Sequence, residues 1–393
     1  MNEFASVLIA WFRENGRELP WRQTRDPYAI WLSEIILQQT QVKQGWAYWE
    51  RFMRRWPTVE ALAEATEDEV LREWQGLGYY SRARNLHFAA RQIVEMGHFP
   101  DNLEDIKRLK GVGDYTAAAI ASIAFDIPAA VVDGNVYRVL SRYFGISTPI
   151  NSTEGKKEFQ TLAQSLLPTG REPAGKPAGV VAGAAAEAAG RAAGTAGTAA
   201  GTAGVVETPA ETPASKPPGT GGAAVFNQAI MDFGAIQCTP QAPRCLLCPL
   251  QETCVALREG RVGELPVKLR TLKVTERRLT YVYIRCQGET AIHRRGEGDI
   301  WQGLWEPLLF ENGQWTMDNW IAQNNCQLSI INCQLLRKEQ KHVLTHQVIF
   351  ADFWLWETKE KPSLPDGYIW IKESDISDYA VPRLVEILLE SLP

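Results

Sequence analysis

Two carboxyl side chains stand out by the company they keep. Glu34 lies in the run Tyr28 to Gln41, whose periodicity predicts a helix, and Ile30, Trp31, Leu37 and Gln38 fall three or four positions from it. Mostly apolar neighbours disfavour the charged form, so Glu34 is a candidate general acid with a raised pKa; the plain alternative is a Glu on the edge of a helix face. Asp133, in VVDGNVYRV, takes the position of a helix N-cap, where backbone amides would keep it ionised; most such aspartates are only caps. Two carboxyls held in opposite protonation states are the parts needed for acid-assisted bond cleavage.

Three further patterns carry chemistry. Gly111-Val112-Gly113 interrupts a helical pattern and predicts a tight turn, leaving free amides at the start of a helix from Asp114 to Phe125 that would suit a phosphate. Gly76-Leu77-Gly78-Tyr79-Tyr80, followed by Ser81-Arg82-Ala83-Arg84, offers a wedge, stacking rings and phosphate-binding charge, or else a helix C-cap with core aromatics and a solvated basic face. Cys238, Cys245, Cys248 and Cys254 are spaced C-x6-C-x2-C-x5-C, and four soft thiolates at that spacing leave a 4Fe-4S cluster and tetrahedral zinc both open.

The elements that must position these groups follow from the rest of the chain. With 393 residues, 45% hydrophobic and 22% charged, it reads as two or three globular domains. A net charge of -5 means that a local basic groove, not the overall charge, would have to hold a nucleic acid. The first residues lack the features of a secretory leader and no apolar run is long enough to span a bilayer, so a cytoplasmic, nucleoid-associated monomer without a membrane partner is expected. Seven cysteines, four of them clustered, favour metal ligation over a disulfide framework; Cys286, Cys326 and Cys333 are read as buried apolar fillers.

Helices are predicted near Phe4 to Phe12, Gly45 to Arg55, Glu67 to Trp74, Lys156 to Leu167 and Phe226 to Gly234. Residues 170–224 collapse to Ala, Gly, Thr and Pro without an aromatic, and are read as a flexible insertion. LPVKLRTLK, within 259–275, is a basic linker. From 276 the period changes to that of strands, with helices near Met317 to Gln323 and Pro382 to Leu389, which predicts a separate α+β domain over 276–393.

The hairpin, the TA-rich helix and VVDGNVYRV in that order resemble the helix-hairpin-helix signature of base-excision DNA glycosylases. LPWRQTRDPYAIWLSEIILQQTQV resembles the opening of adenine DNA glycosylases of the MutY family. The resemblance implies an all-α glycosylase domain from 1–169 and 225–258, with a six-helix lobe over about 25–135 and an iron-sulfur cluster loop, and a C-terminal Nudix-like domain. It implies that Glu34 is the catalytic acid and protonates adenine at N7. Asp133 would stabilise or capture the sugar cation, Tyr115 would assist it, and Asn135 would help to position water. Gln39, Leu77, Tyr79, Gly111, Gly113, Arg22 and Gln228 would touch DNA. The cysteine pattern after FNQAIMDFG resembles the cluster loop of this family, which implies a 4Fe-4S cofactor on Cys238, Cys245, Cys248 and Cys254.

GLWEP at 303–307 resembles the Nudix-like domain of the same family, yet the acidic REx2E box that would hold magnesium is missing, so binding without hydrolysis is expected. The stretch aligned with the family's F-S-H loop reads Leu344-Thr345-His346, which keeps the hydroxyl and the imidazole for 8-oxoguanine but replaces the aromatic. The expected substrate is duplex DNA carrying A:8-oxoguanine or A:G. The runner-up, an endonuclease-III-like lyase for oxidised pyrimidines, uses a Lys after the hairpin; here the position holds Tyr115, which cannot form an imine. A non-catalytic cluster protein would leave Glu34 and Asp133 without a purpose.

Overall fold

The computed structural model describes residues 3–168, 222–269, 274–311 and 332–393. The insertion read at 170–224, the helix read near 317–323 and Cys326 lie wholly or largely outside them.

The first part of the chain is helical. α1 (Glu3–Asn15) leads to α2 (Pro27–Leu37), started by Asp26, whose side chain accepts from the Tyr28 amide at 2.9 Å, with Pro27 preset for the first turn. α3 (Val42–Arg55), α4 (Val59–Glu64) and α5 (Glu67–Trp74) follow, the last begun by a reciprocal capping box between Thr66 and Glu69. α6 (Ser81–Met96) and α7 (Leu103–Arg108) lead to the turn at Gly111, which needs its positive φ of 80°. α8 (Asp114–Phe125) starts at Gly113, and α9 (Gly134–Phe144) starts at Asp133. α10 (Thr153–Leu166) and α11 (Gly222–Asp232) close the bundle, and α11 runs into a wide π turn, Phe233–Gln237. α2, almost wholly apolar and buried from Tyr28 to Ile36, lies at the centre, packed against α3, α6 and α8.

Two boundaries differ from the sequence reading for physical reasons. α2 stops at Leu37, not Gln41, because Gln39 takes a left-handed φ of 56° and the chain turns away. Ser81 to Arg84, read as a loop, is the first turn of α6.

The second part is a seven-stranded mixed sheet in the order β3-β2-β1-β6-β5, with β4 also on β1 and β7 on β2. β1 (Thr275–Cys286) runs parallel to β6 (Gln347–Thr358), with Tyr281 opposite Phe353; the other pairs are antiparallel. β2 is Glu289–Arg294, β5 Asn332–Val343 and β7 Tyr368–Lys372. LWEPLLF, read as one strand, is split around Pro307 into β3 (Trp305–Glu306) and β4 (Leu308–Glu311), since proline cannot donate to a ladder. Cys286 is buried as expected, whereas Cys333 is only half-buried. One continuous apolar core runs from the helices into the sheet domain, close enough at Gly303 that a Cβ there would lie 3.2 Å from Leu71 Cδ1.

Candidate active site

The cavity that matters opens between the α2 end, the α8 start and the α9 start. Glu34, Tyr115, Asp133, Asn135, Arg22 and Gln228 all line it, together with Trp21 and Met231. Residues that are 99 positions apart in sequence, Glu34 and Asp133, thus face one space because α2 packs on α8 and the chain returns through Val131.

The two carboxyls have different surroundings. Glu34 is 9% exposed, and burial pushes its pKa up to about 7; the Tyr115 hydroxyl opposes the rise, the Asp133 charge adds to it, and Arg22 opposes it. At neutrality a large fraction of Glu34 carries a proton. Asp133 is also raised by burial, but it is held by hydrogen bonds that favour the anion: Oδ1 accepts from the amides of Asn135 at 2.9 Å and Val136 at 2.8 Å, and Oδ2 accepts from Asn135 Nδ2 at 2.8 Å. The Arg138 charge lowers it further. The N-cap geometry read from the sequence is present, and burial works against it, which the sequence reading left out.

Several expected roles change. Asn135 is not free to hold water: Arg138 Nη2 donates to its Oδ1 at 2.7 Å while its Nδ2 serves Asp133, so it orients the carboxylate. Arg22 is not free for DNA: it donates to Asp232 at 2.8 and 2.9 Å, and Arg17 donates to the same carboxylate at 2.5 and 2.9 Å. Burial alone would raise Asp232, yet the two guanidinium groups hold it below its ordinary value; Arg17 and Arg22 line the cavity, and Asp232 is buried. Leu77, expected as a wedge, is buried in the core at 8% exposure, while Tyr79 next to it stands 45% exposed. Arg82 and Arg84, read as phosphate-binding charge, are both engaged by protein carbonyls. Tyr115 donates to Met231 Sδ at 3.2 Å beside Glu34, and burial raises its pKa well above the ordinary value, so it stays a neutral phenol.

Gly111 and Gly113 form the turn ahead of α8; a Cβ on Gly111 would strike Asn85 at 2.8 Å, while the space around Gly113 is open. Gln39 sits at the α2 exit. Thr345 and His346 are exposed in the turn between β5 and β6, and Leu344 is half-buried against the core. Thr345 Oγ1 lies 2.5 Å from the Tyr79 hydroxyl, which joins the loop expected to touch DNA to the stretch expected to meet 8-oxoguanine.

The cysteine loop is held by α9. Arg138 donates to the carbonyls of Cys238 (2.7 Å) and Gly234 (2.6 Å), and Arg142 to those of Thr239 (2.7 Å), Pro240 (3.0 Å) and Leu265 (3.0 Å), with Cys238 Sγ at 3.5 Å from Nη1. Cys238, Cys245, Cys248 and Cys254 line one hollow with Arg142. Among the described residues no three Cys, His, Asp or Glu side chains converge on a single-ion site. Gly234 makes this packing possible, since a Cβ there would meet Asn135 Cβ at 2.6 Å. Arg138, Arg142, Asp232 and Met231 were missed from sequence. The one available signal was Arg138 and Arg142 four apart on one helix face, a pairing that stays buried only when it finds acceptors.

Residues 32–168 match the HhH-GPD superfamily base excision DNA repair protein family, and residues 280–391 match the NUDIX domain family. The chain is 38% identical over 273 residues to the adenine DNA glycosylase of Mus musculus, covering 67% of this chain and 43% of that one. It is 28% identical over 396 residues to the adenine DNA glycosylase of Buchnera aphidicola subsp. Schizaphis graminum, covering 98% of each. Among solved structures, a thermostable thymine-DNA glycosylase superposes with a TM-score of 0.49 at 27% identity, over 65% of this chain and 95% of that one.

Proposed function

Since the chain belongs to the adenine DNA glycosylases of the HhH-GPD superfamily, we propose that it hydrolyses the N-glycosidic bond of adenine paired with 8-oxoguanine or guanine, without cutting the strand. The observation that carries this reading is the cavity in which a carboxyl pushed up to about 7 faces a carboxylate held by three N–H donors.

Glu34 gives its proton to N7 of the extruded adenine, which makes the base a better leaving group. As the C1′–N9 bond breaks, positive charge grows on the sugar and Asp133 answers it, as an ion or by transient bonding. Arg138 and Asn135 keep the Asp133 carboxylate aimed at that point. Water then attacks the sugar, with Glu34, now ionised, taking the proton. Tyr115, neutral and beside both carboxyls, can donate to either.

Extrusion costs less at a mispair, and on this reading Gln39 and Tyr79 flank the vacated position. Thr345 and His346 supply the hydroxyl and imidazole for 8-oxoguanine. Half-buried Leu344 packs inward, in keeping with the loss of the aromatic. The sheet domain binds without hydrolysing, as its sequence lacks the acidic box. Duplex DNA as substrate implies a nucleoid-associated, cytoplasmic enzyme.

A 4Fe-4S cluster fits the donor set: four soft thiols around a common hollow, with cationic Arg142 alongside, suit a multi-iron group better than a point ion. Cys238, Cys245, Cys248 and Cys254 would hold it, and its bonds would brace the loop that Arg138 and Arg142 grip. No step of base removal passes through it.

No lysine lines the cavity among the described residues. That favours simple hydrolysis over the lyase reading. The test is base release from duplexes with A opposite 8-oxoguanine, G or T, followed by alkali, with a parallel borohydride trap. Release dependent on alkali for strand scission is expected; efficient scission without alkali, or an abundant covalent adduct, would turn the assignment to the lyase.

A further inference from the structure

Arg82 is a buried cation that the chemistry above leaves unused. It is 8% exposed, and its guanidinium gathers three backbone segments. Nη1 donates to the carbonyls of Ile35 (3.1 Å), Ile36 (2.9 Å) and Gln38 (2.5 Å). Nη2 donates to those of Leu77 (3.3 Å) and Gly78 (3.2 Å), and Thr40 Oγ1 lies 3.3 Å from both nitrogens. The rings of Trp74 and Tyr79 lie 5.0 and 5.7 Å from its Cζ. Burial lowers its pKa to about 10, so it remains a cation at neutrality.

Each of these contacts has a use. The last carbonyls of α2 have no partner within the helix and carry the negative end of its dipole, which a cation answers. Glu34 is the residue just before Ile35, so the capped turn is the one that carries the acid. Gln39 and Tyr79 both adopt left-handed backbone, φ 56° and 48°, and each directly follows a carbonyl that Arg82 holds. Non-glycine residues persist there only where the surroundings over-determine them. A planar fork reaches both loops at once, whereas the single ammonium of a lysine cannot reproduce that span.

We infer that Arg82 is a positioning residue that fixes the Glu34 helix, the Gln39 turn and the Tyr79 loop as one unit, so that extruding the base and protonating it are prepared together. This rests on the reading above that Gln39 and Tyr79 flank the extruded nucleotide.

The test compares full-length wild type, Arg82→Lys, Gln39→Ala and Tyr79→Ala under single-turnover conditions, well below their melting temperatures. Two substrates are used: an A:8-oxoguanine duplex and a duplex with a bulged adenine, for which extrusion costs less. Arg82→Lys is expected to lose about 100-fold on the paired duplex, the scale of a small misplacement of reacting parts. It should lose far less on the bulge, and its pH midpoint should not move. Thr40→Val, which removes one anchor of the same guanidinium and leaves the charge, should repeat the pattern more mildly and serves if Arg82→Lys fails to fold. Equal losses on both substrates, or wild-type rates on both, overturn the inference. If Gln39→Ala and Tyr79→Ala leave the paired duplex unaffected, the reading beneath fails and the inference falls with it. If they slow it while the Arg82 and Thr40 variants do not, the inference alone fails.

Discussion

Glu34→Gln separates the acid from the rest of the cavity and has a calculable signature. A carboxyl moved from 4.5 to about 7 binds more protons in the folded than in the unfolded chain across that window. Stability therefore falls as pH rises through it: the cost of ionising Glu34 is absent below about 4.5 and complete above about 7. At about 1.4 kcal/mol per pH unit the cost at pH 8 is about 3 kcal/mol, to the nearest unit or so. Gln keeps the shape and carries no charge, so the variant should match wild type at pH 4.5 and exceed it by about 3 kcal/mol at pH 8. For the helical domain this is about 6 to 12 °C in Tm. The same substitution removes the proton donor, so base release should drop by roughly 100- to 10,000-fold while duplex binding persists. Paired melts of both proteins from pH 4.5 to 8, followed by tryptophan fluorescence, read the first effect. Single-turnover release across the same range reads the second, with the wild-type rate falling through about pH 7 as Glu34 loses its proton. A stability difference that does not grow with pH, or a variant that releases adenine at the wild-type rate, would refute the reasoning.

Arg138→Gln cuts the link from Asn135 to the Cys238 carbonyl; release should fall about 10- to 100-fold, with lower iron content, in the same single-turnover and iron assays. Cys248→Ala should lose iron and the visible charge-transfer absorption of a cluster and weaken duplex binding, whereas retention of full absorption would remove Cys248 from the ligand set. Thr345→Ala removes the hydroxyl beside Tyr79 and should reduce the preference for 8-oxoguanine over guanine opposite adenine by up to about tenfold, measured as a ratio of release rates on the two duplexes.

What could be read from sequence was what local rules govern. Asp133 follows from capping chemistry within three residues, Glu34 from the 3.6-residue period, and the cysteines from their own spacing. The strands of the sheet domain followed from alternation, apart from the break at Pro307 and the second half of β5, residues 337–343, where RKEQKHV shows no apolar alternation. What could not be read were partners brought from afar. Asp232 claims Arg22 from 210 positions away and Arg17 from 215, and the Cys238 carbonyl claims Arg138 from 100. A basic side chain in a sequence looks like surface charge until its acceptors are known, which is why Arg22 reads as a DNA contact, and Arg82 and Arg84 as either phosphate-binding charge or a solvated face. Leu77 failed for the converse reason: an apolar residue between two glycines can be a tip or an anchor, and only packing against the core decides.

The apolar core that passes unbroken from the bundle into the sheet, pinned at its rim by Tyr79 to Thr345, Arg84 to the Gln302 carbonyl and Arg294 to Glu67, makes the two halves a gauge of set width. On the function proposed above, the interval between the hollow for one base and the turn for its opposite number would belong to the protein, and the double helix would have to bend to meet it. Stiff, correctly matched DNA would then be turned away by its own reluctance to deform, before any base leaves the stack.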